Sequence, residues 1–491
     1  MTRSLGTVSR RRWLTGALGV AVAALLAACG QPAPTPAPAE KPTPPAAPAA
    51  TKPAEAAKAA EKPAEKPAAG VSGGTPVAPT PTLPPGAKVV TFWIPWGQPE
   101  RHKWVQDWGA RFHEKHPDQA LKMEFVGFGN MRQRWIAAHQ AGQMPEVLNT
   151  SFPELGAAYV AGATERADDV VRELGAKDFF LEAPLSIWQY QGAYYGLPLY
   201  VFPRMFYYRK DLYEAAGQKP PTDWDSWSAG AKALTQPPDR FGSSLAPADH
   251  APEVVAYLMR GQKSDYDIFD QEGKVLLGTP EGEAAIEQFA KLIKDTGPQG
   301  MANYTEDDQV KFFISKDVGY IITWPALLQW IAQQMPQNVP KIGAIAPPGK
   351  SVKPKPVTTN IGFALGKSAQ NKDGAKKYLQ FVMQDEPALG FLHSIAGVFP
   401  VTKSVAASPK FSDHPILKQY PEVVKTSLEI SNEGIEGGYL HGFNPTNSLA
   451  LATNPGFAQM MQAIVLQNTP VKQAIEEQVK RMNAAIAQAR R

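Results

Sequence analysis

Two spacings of apolar residues run along this chain, and the switches between them mark its elements. Residues 87–94, Ala-Lys-Val-Val-Thr-Phe-Trp-Ile, form a β-branched and aromatic run stopped by Pro95 and Gly97, which predicts a buried strand. A helix over about 100–115 follows, with Trp104, Val105, Trp108 and Phe112 on one face. Residues 121–126 predict the next strand, 131–142 a helix and 145–150 a third strand. This β-α-β-α-β order implies a largely parallel sheet covered by helices. Farther on, Thr222 with Asp225 three residues later resembles a capping box. Ile286, Phe289, Ala290 and Ile293 share one stripe of a helix over 281–296, which Gly297-Pro298 ends. Ala375, Tyr378, Leu379 and Val382 repeat that spacing. Near the end, Thr469 is expected to cap a helix whose stripe is Ile475, Val479, Met482 and Ile486. No internal repeat is present.

The N-terminal part follows neither spacing. Arg3, Arg10, Arg11 and Arg12 precede an apolar run over 13–26 that is too short, and too rich in Gly and Ala, to span a bilayer stably. It is an expected export signal. Ser9-Arg10-Arg11-Arg12-Trp13-Leu14 resembles the twin-arginine signal, with Trp13 where Phe is usual. Leu26-Ala27-Ala28-Cys29 resembles a bacterial lipobox, which makes Cys29 the expected lipidated first residue of the mature chain. Cys29 is the only cysteine, so the folded part is stable without disulfides. Residues 1–28 are thus an expected signal peptide. Residues 29–86, dominated after Cys29 by Pro, Ala, Lys, Glu and Thr, are an expected disordered stalk with polyproline stiffness.

The remaining chain is long for one core, so two lobes are expected. Composition then narrows the partners. The formal net charge is +4, and the four arginines of the signal account for it. The mature part lacks the dense basic patch that nucleic acid would require.

Six segments, in chain order, resemble the extracellular solute-binding proteins of ABC importers, the family that includes maltodextrin and other sugar binders. They are AKVVTFWIPWG, RWIAAHQAGQMPEVLNT, YGLPLYVFPRMFYYRKDLYEAAGQKPPTDWDSW, KFFISKDVGYIITWPALL, TTNIGFALGKSAQNKDGAKKYLQFVMQDE and GVFPVTKSV. One departure is Arg209, where the family commonly has Asn. The resemblance implies a type II, two-lobe α/β fold of the periplasmic-binding-protein kind, each lobe a helix-covered, mostly parallel sheet. It places residues 87–200 with 360–402 in the N-terminal lobe and 205–357 with 405–491 in the C-terminal lobe. Crossings are expected near 200–204, 358–362 and 400–403. It also implies hinge closure on a solute, a sugar or oligosaccharide, and delivery to the membrane subunits of an ABC permease. The chain is expected to act as a monomer, lipid-anchored on the extracytoplasmic face of the cell membrane.

Open parallel sheets bind ligands where strands hand over to loops. Trp96 and Gln98 follow the first strand, and Thr150 and Ser151 follow the third, where the resemblance implies ligand contact. Tyr200, Phe202 and Arg204 lie on the first crossing. Arg204 is a clamp for a carboxylate or phosphate, or the partner of a carboxylate of its own lobe. Trp324 matches the family's stacking tryptophan. Tyr439, His441 and Asn444 interleave with glycines over 433–444, in either a ligand-facing or a surface loop. An aromatic plate suits the C–H face of a sugar and neighbouring polar groups suit its hydroxyls. Trp104, Trp108, Trp224 and Trp227 are assigned to the core.

Two rival readings are a secreted, lipid-anchored carbohydrate-active enzyme and a binder of an anionic or polyol-phosphate solute. Glu146, Glu154, Glu433 and Glu436 show no pairing pattern of the kind a glycosidase needs. No Gly-x-Ser-x-Gly elbow or phosphate loop occurs. His113 and His116, at i and i+3, read as a solvated helix end rather than a metal site. The chain is therefore expected to be no enzyme and to use neither cofactor nor metal.

Overall fold

A computed structural model describes residues 85–452 and 456–490. The expected signal peptide, Cys29 and nearly all of the expected stalk lie outside them. No helix among the described residues is long and apolar enough to cross a membrane.

The strands are β1 (Lys88–Ile94), β2 (Gln119–Phe125), β3 (Val147–Thr150), β4 (Gln189–Tyr190), β5 (Ala193–Tyr194), β6 (Leu197–Pro203), β7 (Met205–Arg209), β8 (Arg240–Ser244), β9 (Asp317–Thr323), β10 (Ile342–Ile345) and β11 (Thr358–Leu365). Apart from the hairpin β4–β5, they form two sheets, ordered β2-β1-β3-β11-β6 and β10-β7-β9-β8. In the first, β1 pairs parallel with β2 and β3, while β11 runs antiparallel to both β3 and β6. In the second, β8 pairs parallel with β9, and β7 runs antiparallel to β9 and β10. Each sheet therefore has one reversed strand.

That strand has a simple cause. β7 follows β6 across the single residue Arg204, and β11 returns to the first sheet after β10 of the second. A strand that arrives from the other lobe enters at the facing edge and must run away from it. The strands native to each sheet end at that edge. The crossing thus directs the ends of β1, β3 and β9 toward the region between the lobes.

Helices cover both sheets. Pro99–Lys115 buries Trp104, Val105 and Phe112 against a core that includes Phe92, Tyr378 and Phe391. In the second lobe, Trp224 and Trp227 are core residues, as is the stripe of Pro280–Thr296 with Ile286, Phe289 and Ile293. Trp108 is only partly buried at the edge of its core.

Two cap positions differ from the sequence expectation. Asp223 caps the helix Trp224–Leu234, reciprocally with Ser226, because its extended backbone lets its carboxylate accept from the Ser226 N–H at 2.8 Å. Thr222 instead donates to the Asp223 carboxylate. The terminal helix Val471–Ala489 begins after Pro470 without a side-chain cap, and the Thr469 N–H bonds back to the Ala463 carbonyl. Ile475, Met482 and Ile486 still reach the second-lobe core.

The segment after the third crossing, expected wholly in the second lobe, contributes to both. Val405 and Phe411, just past that crossing, bury in the first-lobe core. Tyr420, Val423 and Ile430 belong to a core beside the second sheet. The helix Pro445–Ala452 then packs on Phe152–Val160 so closely that a Cβ on Gly156 would lie 2.4 Å from Ser448.

Candidate functional site

The end of β1 turns directly into the helix Pro99–Lys115. Trp96 is buried there, its ring 5.0 Å from Phe391 and its carbonyl bonded to the His102 ring. Gln98 occupies the N-cap but makes no side-chain cap bond, and its Oε1 is buried without a partner. From Trp96 a chain of aromatic rings crosses the lobes. Tyr200 lies 5.3 Å from Phe391 and stacks on Phe202 at 6.1 Å, and Phe202 meets Trp324 at 5.2 Å. Trp324 follows β9 of the second sheet, is half-buried, and also contacts Trp330. Five expected site residues are thereby brought together: Trp96, Gln98, Tyr200, Phe202 and Trp324.

Arg204, between β6 and β7, is committed elsewhere. Its Nη1 reaches Glu306 at 3.3 Å, and its Nη2 reaches His250 at 2.9 Å and Glu253 at 3.5 Å. His250 also contacts both carboxylates, Thr323 donates to Glu306, and Thr359 donates to Glu253. All four charged groups are largely withdrawn from water. Burial and Arg204 disfavour the His250 cation, but Glu253 and Glu306 outweigh them and raise its pKa to about 9. Burial would likewise raise both carboxylates, yet Arg204 and His250 bring each down to about 2. Of the two roles open to Arg204 in the sequence, the structure shows the pairing with carboxylates of the second lobe.

The third group surrounds the end of β3. Thr150 is fully buried, and its hydroxyl bonds to the Ser151 carbonyl. Ser151 precedes the helix Phe152–Val160 and donates to Glu154, whose pKa burial raises. Tyr439 lies 4.8 Å from Phe152, buried, with a hydroxyl that has no partner. Asn444 turns its side-chain oxygen to the N–H groups of Thr446 and Asn447 and so opens the helix Pro445–Ala452. His441 is exposed, on a groove of about 780 Å³ shared with Glu182, Asp265, Lys355 and Glu433.

The glycine-rich loop over 433–444 is anchored rather than open. The fully buried pair Arg260–Asp267, 2.8 Å apart, grips it: Arg260 donates to the Ile435 and Glu436 carbonyls, and Asp267 accepts from the Gly438 and Leu440 N–H groups. A Cβ on Gly437 would lie 3.0 Å from the Glu253 backbone, so this glycine serves close packing on the helix Pro247–Arg260. From that loop Glu436 points inward and accepts the Asn360 N–H at 2.9 Å. Burial pushes its pKa well up, with Glu253 and Glu154 adding to the effect.

A profile of bacterial extracellular solute-binding proteins matches residues 107–419, most of the chain. The chain belongs to that family. Among curated relatives, a putative binding protein of Brucella abortus (strain 2308) is 27% identical over 303 residues, covering 60% of this chain and 72% of its own. An arabinooligosaccharide-binding protein of Halalkalibacterium halodurans is 21% identical over 397 residues, covering 75% of this chain and 84% of its own. Among solved structures, the GacH receptor of Streptomyces glaucescens, studied unliganded and with acarbose, superposes with a TM-score of 0.65 at 16% identity, covering 82% of this chain and 99% of that one. At that identity the likeness establishes the two-lobe fold alone. This chain is therefore an extracellular solute-binding protein of the ABC-importer type.

Within this solute-binding protein, sequence reasoning passed over Arg101, His250, Glu253 and Glu306. The last three gave no signal, because helical spacing does not reveal which charges a crossing strand will meet. Arg101 did give one. It stands in the first turn of its helix, where the exposed N–H groups and the helix dipole disfavour a cation. Among the described residues no cluster of His, Cys, Asp and Glu suited to a metal occurs, and His113 bonds to the Gln119 carbonyl.

Proposed function

We propose that this protein captures a saccharide or polyol between its lobes and delivers it, by hinge closure, to the membrane subunits of an ABC importer. The observation that carries the proposal is the run of rings from Trp96 through Tyr200 and Phe202 to Trp324, which starts at one sheet's edge and ends at the other's. Such plates suit the apolar faces of sugars. The orphan Gln98 Oε1, after β1, and the orphan Tyr439 hydroxyl, against Phe152 after β3, supply unpaired polar atoms along the first sheet's facing edge. The protein works as a binder without catalysis or cofactor, as a monomer held on the outer face of the cell membrane through a lipid on Cys29.

A thermal-shift screen of the protein with neutral and acidic sugars, polyols and sugar phosphates tests this. A ligand at 100 times its Kd adds about 2.7 kcal/mol to stability, and the same ligand is expected to be recovered unaltered. Trp324→Ala is expected to weaken that ligand at least ~10-fold, through loss of one stacking face. Consumption of a ligand during incubation, or full affinity in Trp324→Ala, would overturn the proposal.

A further inference from the structure

At the first-lobe end of the aromatic run, Arg101 has an environment found nowhere else among the described arginines. It is 4% exposed, and its guanidinium carbon lies 5.4 Å from the Trp96 ring centroid, 5.2 Å from Tyr200 and 4.9 Å from Phe391. Among the described residues it makes no ion pair and no side-chain hydrogen bond, and its Nε is buried without an acceptor. The indole Nε1 of Trp96, equally buried, also lacks one. Two unsatisfied donors therefore belong to a cation and the ring it stacks on, five residues apart at the end of β1.

The energetics leave this arrangement incomplete. Burying a charge without a counter-charge is strongly unfavourable. Three ring faces offset part of that cost. The ring faces satisfy none of the in-plane N–H groups, which point along the edges of a fork suited to a planar, two-oxygen anion. The first turn of Pro99–Lys115 adds positive potential of its own. Arg204 cannot be the missing partner's site, since Glu253 and Glu306 already neutralise it.

We infer that Arg101, with the Trp96 indole N–H, reads a carboxylate on the solute, so that the ligand is an acidic saccharide such as a uronic-acid oligomer. This rests on the saccharide reading above and narrows it. A carboxylate is preferred to a phosphate because a single planar monoanion matches one guanidinium edge plus one indole donor.

The test is titration calorimetry of the full chain with oligogalacturonides, the matching neutral galacto-oligosaccharides and galactose phosphates, at low and high salt. The oligogalacturonide is expected to bind roughly 30-fold or more tighter than its neutral counterpart, in line with a charge-assisted hydrogen-bonded pair. That preference is expected to shrink with salt. In Arg101→Gln the ratio of acidic to neutral affinity should collapse to about one, and Arg101→Lys, which keeps the charge but loses the fork, should fall between. Melting of both unliganded variants accompanies the titrations, because a purely structural cation–π role predicts a lower melting temperature with the selectivity ratio unmoved. Equal or tighter binding of the neutral sugar, or preference for the phosphate, overturns the inference and leaves the saccharide reading standing. Failure of every saccharide to bind overturns both.

Discussion

Two arginines lie at the meeting of the lobes with nearly the same burial, Arg101 at 4% and Arg204 at 7% exposed, and each has its guanidinium over an aromatic ring. They differ in what completes them. Arg204 is enclosed by His250, Glu253 and Glu306 from two helices of the second lobe, so it binds β6 and β7 to that lobe as one electrostatic unit. Arg101 has rings and no counter-ion. A buried charge neutralised from within holds structure in place, whereas one left open requires something from outside. The comparison also separates two roles that the sequence left open at Arg204 alone, an anion clamp and the partner of a lobe carboxylate, while it assigned nothing to Arg101.

Removing each charge gives the largest difference. Arg204→Met strands Glu253, Glu306 and His250 in a buried setting and is expected to cost about 3–5 kcal/mol. Arg101→Met removes an unpaired charge along with its ring contacts, and these oppose each other to leave a change within about 1 kcal/mol. Urea denaturation of the two variants measures both. Equal losses would erase the distinction between the two sites.

The same distinction has a pH signature. The folded His250 value near 9 lies above its ordinary 6.5, so its contribution is complete below pH 6.5 and fades as pH rises toward 9. The folded Glu253 and Glu306 values near 2 lie below the ordinary 4.5, so their contributions are complete above pH 4.5 and fade as pH falls toward 2. This group is therefore expected to support the fold fully between pH 4.5 and 6.5. Urea midpoints across pH should show an alkaline decline in the native protein that His250→Gln flattens. An unchanged alkaline decline in that variant would remove His250 from the network as an ionised member.

How far the chain could be read in advance follows from what each feature depends on. The first three strands and the helices around Trp104 and Phe289 were legible because they depend on local apolar spacing, and the structure places them within a few residues. The aromatic run was partly legible, because Trp96 ends a strand and Tyr200 and Phe202 lie on a crossing. The charge network was not. Its members come from 204, 250, 253 and 306, and only the reversed entry of β7 brings them together. The glycine loop stayed open between a ligand-facing and a surface role for the same reason: whether Gly437 packs on the helix Pro247–Arg260 is decided by Arg260 and Asp267, far away in sequence.

The smallest effect is expected at Glu436, and it sharpens the comparison from the carboxylate side. Glu253 and Glu436 are both buried near Arg204, yet Glu253 touches Arg204 and His250 while Glu436 has the Asn360 N–H at 2.9 Å and no cation in contact. Burial raises Glu436 well above the carboxylate range, and Glu253 and Glu154 push the same way. Burial thus favours the uncharged acid, and what the fold requires of Glu436 is an acceptor oxygen for the Asn360 N–H. Glutamine supplies that oxygen in the same shape. Glu436→Gln should therefore change stability by less than about 1 kcal/mol, with no trend from pH 5 to 8. Glu253→Gln should cost several times more, because it leaves Arg204 and His250 short of a counter-charge. A pH-dependent loss in Glu436→Gln would mean that Glu436 is ionised and that Arg204 balances three carboxylates rather than two.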